Sequence, residues 1–427
     1  MPSDSTIADR LLQGDRRAAA NLATRPLKPR RDNLVERPWG GQRLCAFKGL
    51  SAPAGRRFGE SFEISADDAD DEARLHPSVL ELPDGSTITL PALLAVHADT
   101  LLGEEFVGRY GRRFPLLPKL LDVAELLSVQ AHPPGNTEVY VIVDADESAT
   151  IRLGFAVDVD PATLIAKLAA GRRDQQRLLE LLGADAADEL QALLKGWLAR
   201  RTARPTELRS ALVERLRAAT KWAEVDTILT SLHETYWGVL ESLNAIPVEA
   251  GDVVYNSNPP RVVAASGKPA SAEVHALGNT EGRGVLALEI RRPGPTFRAW
   301  DNVRFPLRKL DIDAALKAVN LAATRPEDFV VEPTRVRPGV RRSVDCEYFR
   351  LEHIEPTVGV PVEVASSSPH CLHALAGRVG VFRAGEAIAT LERGESALVP
   401  AGVGAYRILA VDEPAVVIRV SLPPYGD

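Results

Sequence analysis

The sequence predicts a mainly β chain with an α-helical insertion: two β-barrels plus a helical domain. Three observations carry this expectation. From 31 to 156, short stretches of strand character are divided by Gly, Pro and Asp turns, as in a barrel or sandwich. From 157 to 245 the apolar period becomes that of helices. Strand alternation then returns over 246–330, and again in a final unit, 331–427.

Bulk properties set the frame. A chain of 427 residues is too long for one ordinary core, so two or three domains are expected. With 45% hydrophobic and 26% charged residues it reads as soluble and globular. A formal charge of −7 argues against nucleic acid or an anionic membrane as partner. The three cysteines, Cys45, Cys346 and Cys371, are an odd number without metal spacing, which fits a reducing compartment. No apolar run approaches membrane-spanning length, and residues 1–30 are too polar for a secretory leader. They read as a flexible extension with a short helix through Ile7–Leu12. The expectation is a cytoplasmic monomer or weak homo-oligomer.

The elements follow in order. A helix is expected near Leu90–Ala98, where Pro91 suits a first turn. Asp158-Val159-Asp160-Pro161 offers a helix N-cap and a proline at the first helical position. Leu190, Leu193, Leu194, Trp197 and Leu198 form one apolar helical stripe, with similar stripes over Leu208–Trp222 and Ile228–Leu243. Strand character resumes at Ala245. Asn256 to Ser271 is rich in Pro, Ser and Ala and reads as an inserted loop, and a helical piece is expected near Ile312–Val319. The last unit alternates through Val379–Val381, Ala387–Leu391, Ser396–Val399 and Val416–Val420.

Chemistry concentrates in Leu127-Ser128-Val129-Gln130-Ala131-His132-Pro133. Gln130 and His132 are two apart, so on a strand both leave the same face. Pro133-Pro134-Gly135-Asn136 must turn the chain, and Glu138 opens the next strand, pointing back toward His132. Such a mixed N/O set suits zinc or a similar divalent ion, although a QxH pair on a strand is more often ordinary polar decoration. Lys119, in Leu117-Pro118-Lys119-Leu120, sits where an unpaired ammonium is costly, which favours an active-site role over a snorkelling one.

These words, with Trp39-Gly40-Gly41, Gly59-Glu60-Ser61-Phe62-Glu63-Ile64-Ser65, Val274-His275-Ala276-Leu277-Gly278, and Glu289-Ile290 followed by Thr296-Phe297-Arg298 and Trp300-Asp301, resemble the signatures of type I mannose-6-phosphate isomerases. That family is a zinc-dependent double cupin, and the resemblance runs from about 36 to 305, weakening beyond. It implies one zinc held by Gln130, His132, Glu138 and His275, His275 being the least secure because a longer loop precedes it. It implies catalysis by Arg298 and Lys119, with Asp301 as proton carrier. Ser128, Glu289 and Arg304 are expected on the sugar phosphate. The family's Ser/Asp/Thr-rich run before the arginine is here Arg291-Arg292-Pro293-Gly294-Pro295-Thr296, which adds two cations beside the site.

The implied reaction interconverts mannose 6-phosphate and fructose 6-phosphate. The alternatives are isomerisation of another sugar, phosphorylated or not, and a non-catalytic sugar-binding cupin. Glu63 is read either as a partner of a ligand imidazole or as a carboxylate paired with Arg43 or Arg57. In the last unit no histidine follows the Gly394…Pro400-Ala401-Gly402 turn, so that barrel is expected to be metal-free. His370 and His373 are read there as surface or half-buried polar residues.

Overall fold

The computed structural model describes residues 5–67, 70–183, 187–213, 221–257 and 272–423. Six antiparallel strands form the first sheet, in the order Leu34–Gly41, Phe58–Phe62, Leu117–Val123, Val285–Arg291, Glu138–Ala145 and Val253–Asn256. A five-stranded sheet lies across it: Phe297–Trp300, Val129–Ala131, His275–Leu277, Thr150–Phe155 and Leu243–Pro247. Apolar residues from both sheets, among them Leu121, Ile142, Ile151, Leu277 and Ala287, fill the space between them. Period 2 thus places Lys119 with Leu121, and Glu289 with Ala287, on the inward face.

The four helices Pro161–Leu182, Ala187–Leu198, Pro205–Val213 and Trp222–Glu241 cover the outer face of the five-stranded sheet. Leu168, Leu194 and Leu229 pack there against Phe155, Ala276 and Trp300. The first helix begins at the expected stop: the Asp160 carboxylate accepts from Thr163 N at 2.8 Å. Of the stripe expected over Leu208–Trp222, the described parts lie in the helices Pro205–Val213 and Trp222–Glu241. Residues 214–220 lie outside the described residues, as does the loop expected over Asn256–Ser271 from residue 258 onward.

Residues 334–423 form a second sandwich. One sheet runs Thr334–Arg337, Val340–Asp345, Arg350–Ile354, Val416–Ser421, His370–Ala376, Ser396–Val399; its mate runs Val362–Val364, Tyr406–Ala410, Arg378–Arg383, Glu386–Glu392. The mainly β architecture with a helical block is therefore the one the sequence predicts.

Three expectations are corrected. Residues 1–30 are not a flexible extension from Thr6 onward. Helices Ile7–Leu12 and Arg16–Leu22 bury Leu11 and Ala19 in the core beneath the helix Leu90–Leu102, and Leu27 bridges to Leu398 in the second sandwich. His370 and His373 are buried rather than at the surface, bonded to Tyr406 Oη and Ser396 Oγ, both at 2.7 Å. Glu63 pairs with Lys48 Nζ at 2.7 Å, not with Arg43 or Arg57, which meet Asp146 and Glu125.

Candidate metal centre and active site

Strand register assembles the site. His275 pairs across to Gln130, and Gln130 to Arg298, in the five-stranded sheet. In the facing sheet, Arg291 lies beside Glu138, and Glu289 lies between Lys119 and Tyr140. One end of the first sandwich is thus lined by polar groups, beside the apolar cluster that holds Leu121, Ile151 and Ala287. The cavity there measures about 580 Å³ and is bordered by Lys119, Gln130, His132, Glu138, Glu289 and Arg298. Ser128 and Arg304 also border it.

His132, Glu138 and His275 are all buried and offer ligand atoms within 4.8 Å of one another. The tautomers are fixed from behind. His132 Nδ1 faces the Pro295 carbonyl at 3.1 Å and His275 Nδ1 the Glu273 carbonyl at 2.9 Å. A carbonyl only accepts, so each Nδ1 carries a hydrogen, and in the neutral ring Nε2 then presents its lone pair toward Glu138. His132 Nε2 lies 2.8 Å from Glu138 Oε1, yet it is a buried nitrogen without a hydrogen-bond partner. Proximity without alignment is what converging ligands show when they point at a common centre rather than at each other. The Gln130 amide nitrogen is 3.3 Å from His275 Nε2, and a half-turn of that amide presents its oxygen instead. These donors fit a divalent metal ion.

Electrostatics agree. Burial raises the Glu138 carboxyl, but the positive charge that faces it, on the two imidazoles when they are protonated and on Arg291 always, holds it well below the usual carboxylate range. Tyr140 Oη and Asn256 Nδ2 donate to its Oε2. Burial lowers His275, keeping the ring neutral as a ligand must be.

Lys119 is buried but not unpaired: Nζ stands 3.4 Å from Glu60 and 3.7 Å from Glu289, over the ring of Phe62. Burial pushes the Glu289 carboxyl up, only partly offset by Lys119, and its Oε1 has no hydrogen-bond partner. Glu60 goes the other way, since Lys119 and Arg37 overcome the effect of burial.

The cavity lining carries both charges, with Arg37, Arg298, Arg304 and Arg308 as well as Glu36, Asp71 and Glu72. Asp301, expected as a proton carrier, does not border the cavity. It is buried and held by Arg308 Nε at 2.7 Å and Arg304 Nη1 at 3.3 Å, so its carboxylate is committed to the guanidiniums. Arg304 is itself engaged by Asp301 and the Leu126 carbonyl. Spacing alone cannot reveal such pairing. Asp70 was not singled out from the sequence, and Arg291 was read only as one of two cations added beside the site, although it follows Glu289 by two and must share its face.

Residues 38–149 match the family model described as phosphomannose isomerase type I, catalytic domain, which bears out the resemblance read from the sequence. The mannose-6-phosphate isomerase ManA of Bacillus subtilis is 22% identical over 391 residues, 87% of this chain and 92% of that protein. A mannose-6-phosphate isomerase of Streptococcus mutans is 31% identical over 164 residues, and YvyI of Bacillus subtilis 35% over 131. Those two matches span 46% and 38% of the relatives' own lengths, less than half of each. In fold, the chain is similar to the crystal structure of the mannose 6-phosphate isomerase from Bacillus subtilis, with a TM-score of 0.61, 20% identity, and 93% of this chain and 100% of that one covered. It is also similar to a mannose 6-phosphate isomerase structure bound with zinc and yttrium, with a TM-score of 0.58, 16% identity, and 94% and 99% coverage.

Proposed function

We infer that this chain, whose residues 38–149 carry the catalytic domain of type I phosphomannose isomerases, is an enzyme that interconverts mannose 6-phosphate and fructose 6-phosphate. The observation that carries the reading is the buried His132–Glu138–His275 cluster opening onto a cavity that also holds Lys119 between two carboxylates. Zinc is the ion we assign, held by those three residues and Gln130. The donor set suits it, and the relative with bound zinc shares the fold. When bound, the ion supplies electrophilic stabilisation of the oxygen charge that develops during proton transfer between the two carbons.

The chain's own residues supply the rest. Glu289 Oε1 is the base we place against the carbon-bound proton, taking it from C2 and returning it to C1. Burial pushes this carboxyl up, which strengthens it as a base toward a carbon-bound proton. Lys119 Nζ, 3.7 Å away, handles the proton of the sugar hydroxyls. Arg298, paired beside Gln130, clamps a sugar oxygen. The phosphate dianion is drawn to Arg304 and Arg308, which also line the cavity, and Arg298 is left to the reacting end.

Coupled detection of fructose 6-phosphate from mannose 6-phosphate tests this. Turnover is expected from the zinc-loaded chain, lost with chelator and restored by zinc. A zinc-loaded chain inert on mannose 6-phosphate overturns the reading. A second reading, another 6-phosphorylated aldose, is favoured by the Arg291–Thr296 run beside the cavity. The same assay across a panel of phosphosugars separates the two.

A further inference from the structure

The run Arg291-Arg292-Pro293-Gly294-Pro295-Thr296 sits at the centre of an unusual set of contacts. Arg291 is buried, and its Nη2 donates to Asp70 Oδ2 at 2.7 Å. Its Nη1 donates to the carbonyls of Arg292 at 3.0 Å and Gly294 at 3.3 Å, curling the run back on its own strand. Gly294 N donates to the same Asp70 oxygen at 3.2 Å. The next residue, Pro295, offers the carbonyl that receives the His132 Nδ1 proton. On its other flank the run is tied to the turn before Glu138: Asn136 Nδ2 donates to the Arg292 carbonyl, and Arg292 Nη1 to the Gly135 carbonyl.

Asp70 also starts the short helix Asp71–Leu75. Its second oxygen accepts from the backbone N–H groups of Glu72 and Ala73 at 2.9 and 3.1 Å. From there charge contacts close a ring: Glu72 to Arg37, Arg37 to Glu60, Glu60 to Lys119, Lys119 to Glu289, and Glu289 to Arg291 at 3.3 Å. One carboxylate therefore serves three structures at once: a helix cap at the cavity mouth, the charged ring, and the backbone that aims a ligand ring.

We propose that Asp70 is a positioning residue for the metal centre, acting through Arg291 and Gly294 to hold the Pro295 carbonyl against His132. The proposal rests on the reading of His132, Glu138 and His275 as metal ligands. Groups that orient a ligand from behind typically contribute ten- to a hundredfold to metal affinity. Asp70→Asn keeps a side chain able to cap the helix and removes the charge that binds Arg291.

The test measures zinc affinity of the full chain by competition with a chromophoric chelator, beside thermal unfolding of the metal-free protein. Asp70→Asn is expected to weaken zinc by about ten- to a hundredfold, while the metal-free protein loses stability as any broken buried pair costs, to about the extent seen in the Glu352→Gln control. Arg291→Lys, which keeps the charge but cannot span Asp70 and the two carbonyls together, is expected to do the same and serves if Asp70→Asn does not fold. Glu352→Gln, which breaks a buried pair with Arg419 in the second sandwich, is the control and should leave zinc affinity unchanged. Wild-type zinc affinity in Asp70→Asn, or an equal loss in Glu352→Gln, overturns the proposal. A chain with no isomerase activity but Asp70-dependent zinc affinity refutes the reaction and keeps this role. A wild-type chain that takes up no zinc refutes both.

Discussion

Arg298 enters the cavity with a guanidinium that the fold leaves partly unsatisfied. Nη1 donates to the Lys309 carbonyl at 3.2 Å, while the buried Nε finds no partner. Burial, then the nearby Arg308, pushes against its charge, so a ligand oxygen arriving beside Gln130 relieves both costs. Preorganised donors of this kind contribute about 2.7–4 kcal/mol to a developing oxyanion. Arg298→Lys retains the charge without the planar fork, and kcat is expected to fall on the order of a hundredfold with KM little changed. Steady-state kinetics decide it: a defect confined to KM would move Arg298 from the reacting end of the sugar to its phosphate. Asp301, three residues on, shows where residue-level reading from sequence stops. A carboxylate near an arginine looks like chemistry until the fold reveals Arg308 closing on it from seven positions away.

At the scale of elements, the motif blocks turn out to be neighbours. A Cβ on Gly40 would lie 2.5 Å from the backbone of Phe58 and Gly59, and one on Gly59 would lie 2.6 Å from the Trp39 ring. Trp39-Gly40-Gly41 and Gly59-Glu60-Ser61 therefore carry glycine because two strands and an indole meet there, not for chain flexibility. Gly40→Ala is expected to destabilise by roughly 1–3 kcal/mol, the usual cost of overpacking, read as a lower denaturant midpoint with an unchanged slope. The strand Val129–Ala131 that carries Gln130 and the strand that opens at Glu138 were legible because period 2 and a Pro-Pro-Gly-Asn turn are local signals. Arg291's partners were not, since Asp70 lies 221 positions away in sequence.

The buried histidines of the second sandwich were misread for the same reason, and they have a consequence for pH. Burial lowers His370 to about 3, and His373 and His353 to about 4. Unfolded imidazoles titrate near 6.5, so below that pH the unfolded chain binds protons the folded one refuses. Stability is therefore full above about 6.5 and is lost as pH falls toward the folded values. The thermal midpoint should drop between pH 6.5 and 4.5, and His370→Gln should flatten that drop while leaving kcat within a few-fold. An equal slope in the variant counts against His370 as a source.

At the scale of the whole molecule, one apolar cluster joins parts that the sequence divides. It runs from Leu11 and Ala19 of the N-terminal helices through Leu93, Leu94 and Leu101 to Leu120 and Leu288 of the first sandwich, then to Leu351, Cys371 and Ile418 of the second. The N-terminal segment read as a flexible extension because it is polar and offers one short helix; only the destination of its few apolar residues shows their weight. Leu27 N donates to the Leu398 carbonyl at 2.7 Å and Leu398 N to the Leu27 carbonyl at 2.9 Å, stitching the segment to a strand of the second sandwich. Burying one leucine side chain contributes roughly 1.5–3 kcal/mol, and here Leu11, Leu27 and their partners are buried together. Removal of residues 1–28 should therefore lower the thermal midpoint of the metal-free chain by many degrees and uncover the helix Leu90–Leu102. Because the cluster is shared, both sandwiches should lose stability together in one transition. A truncated chain that melts where the full chain does would show that these contacts add nothing the two sandwiches do not already supply.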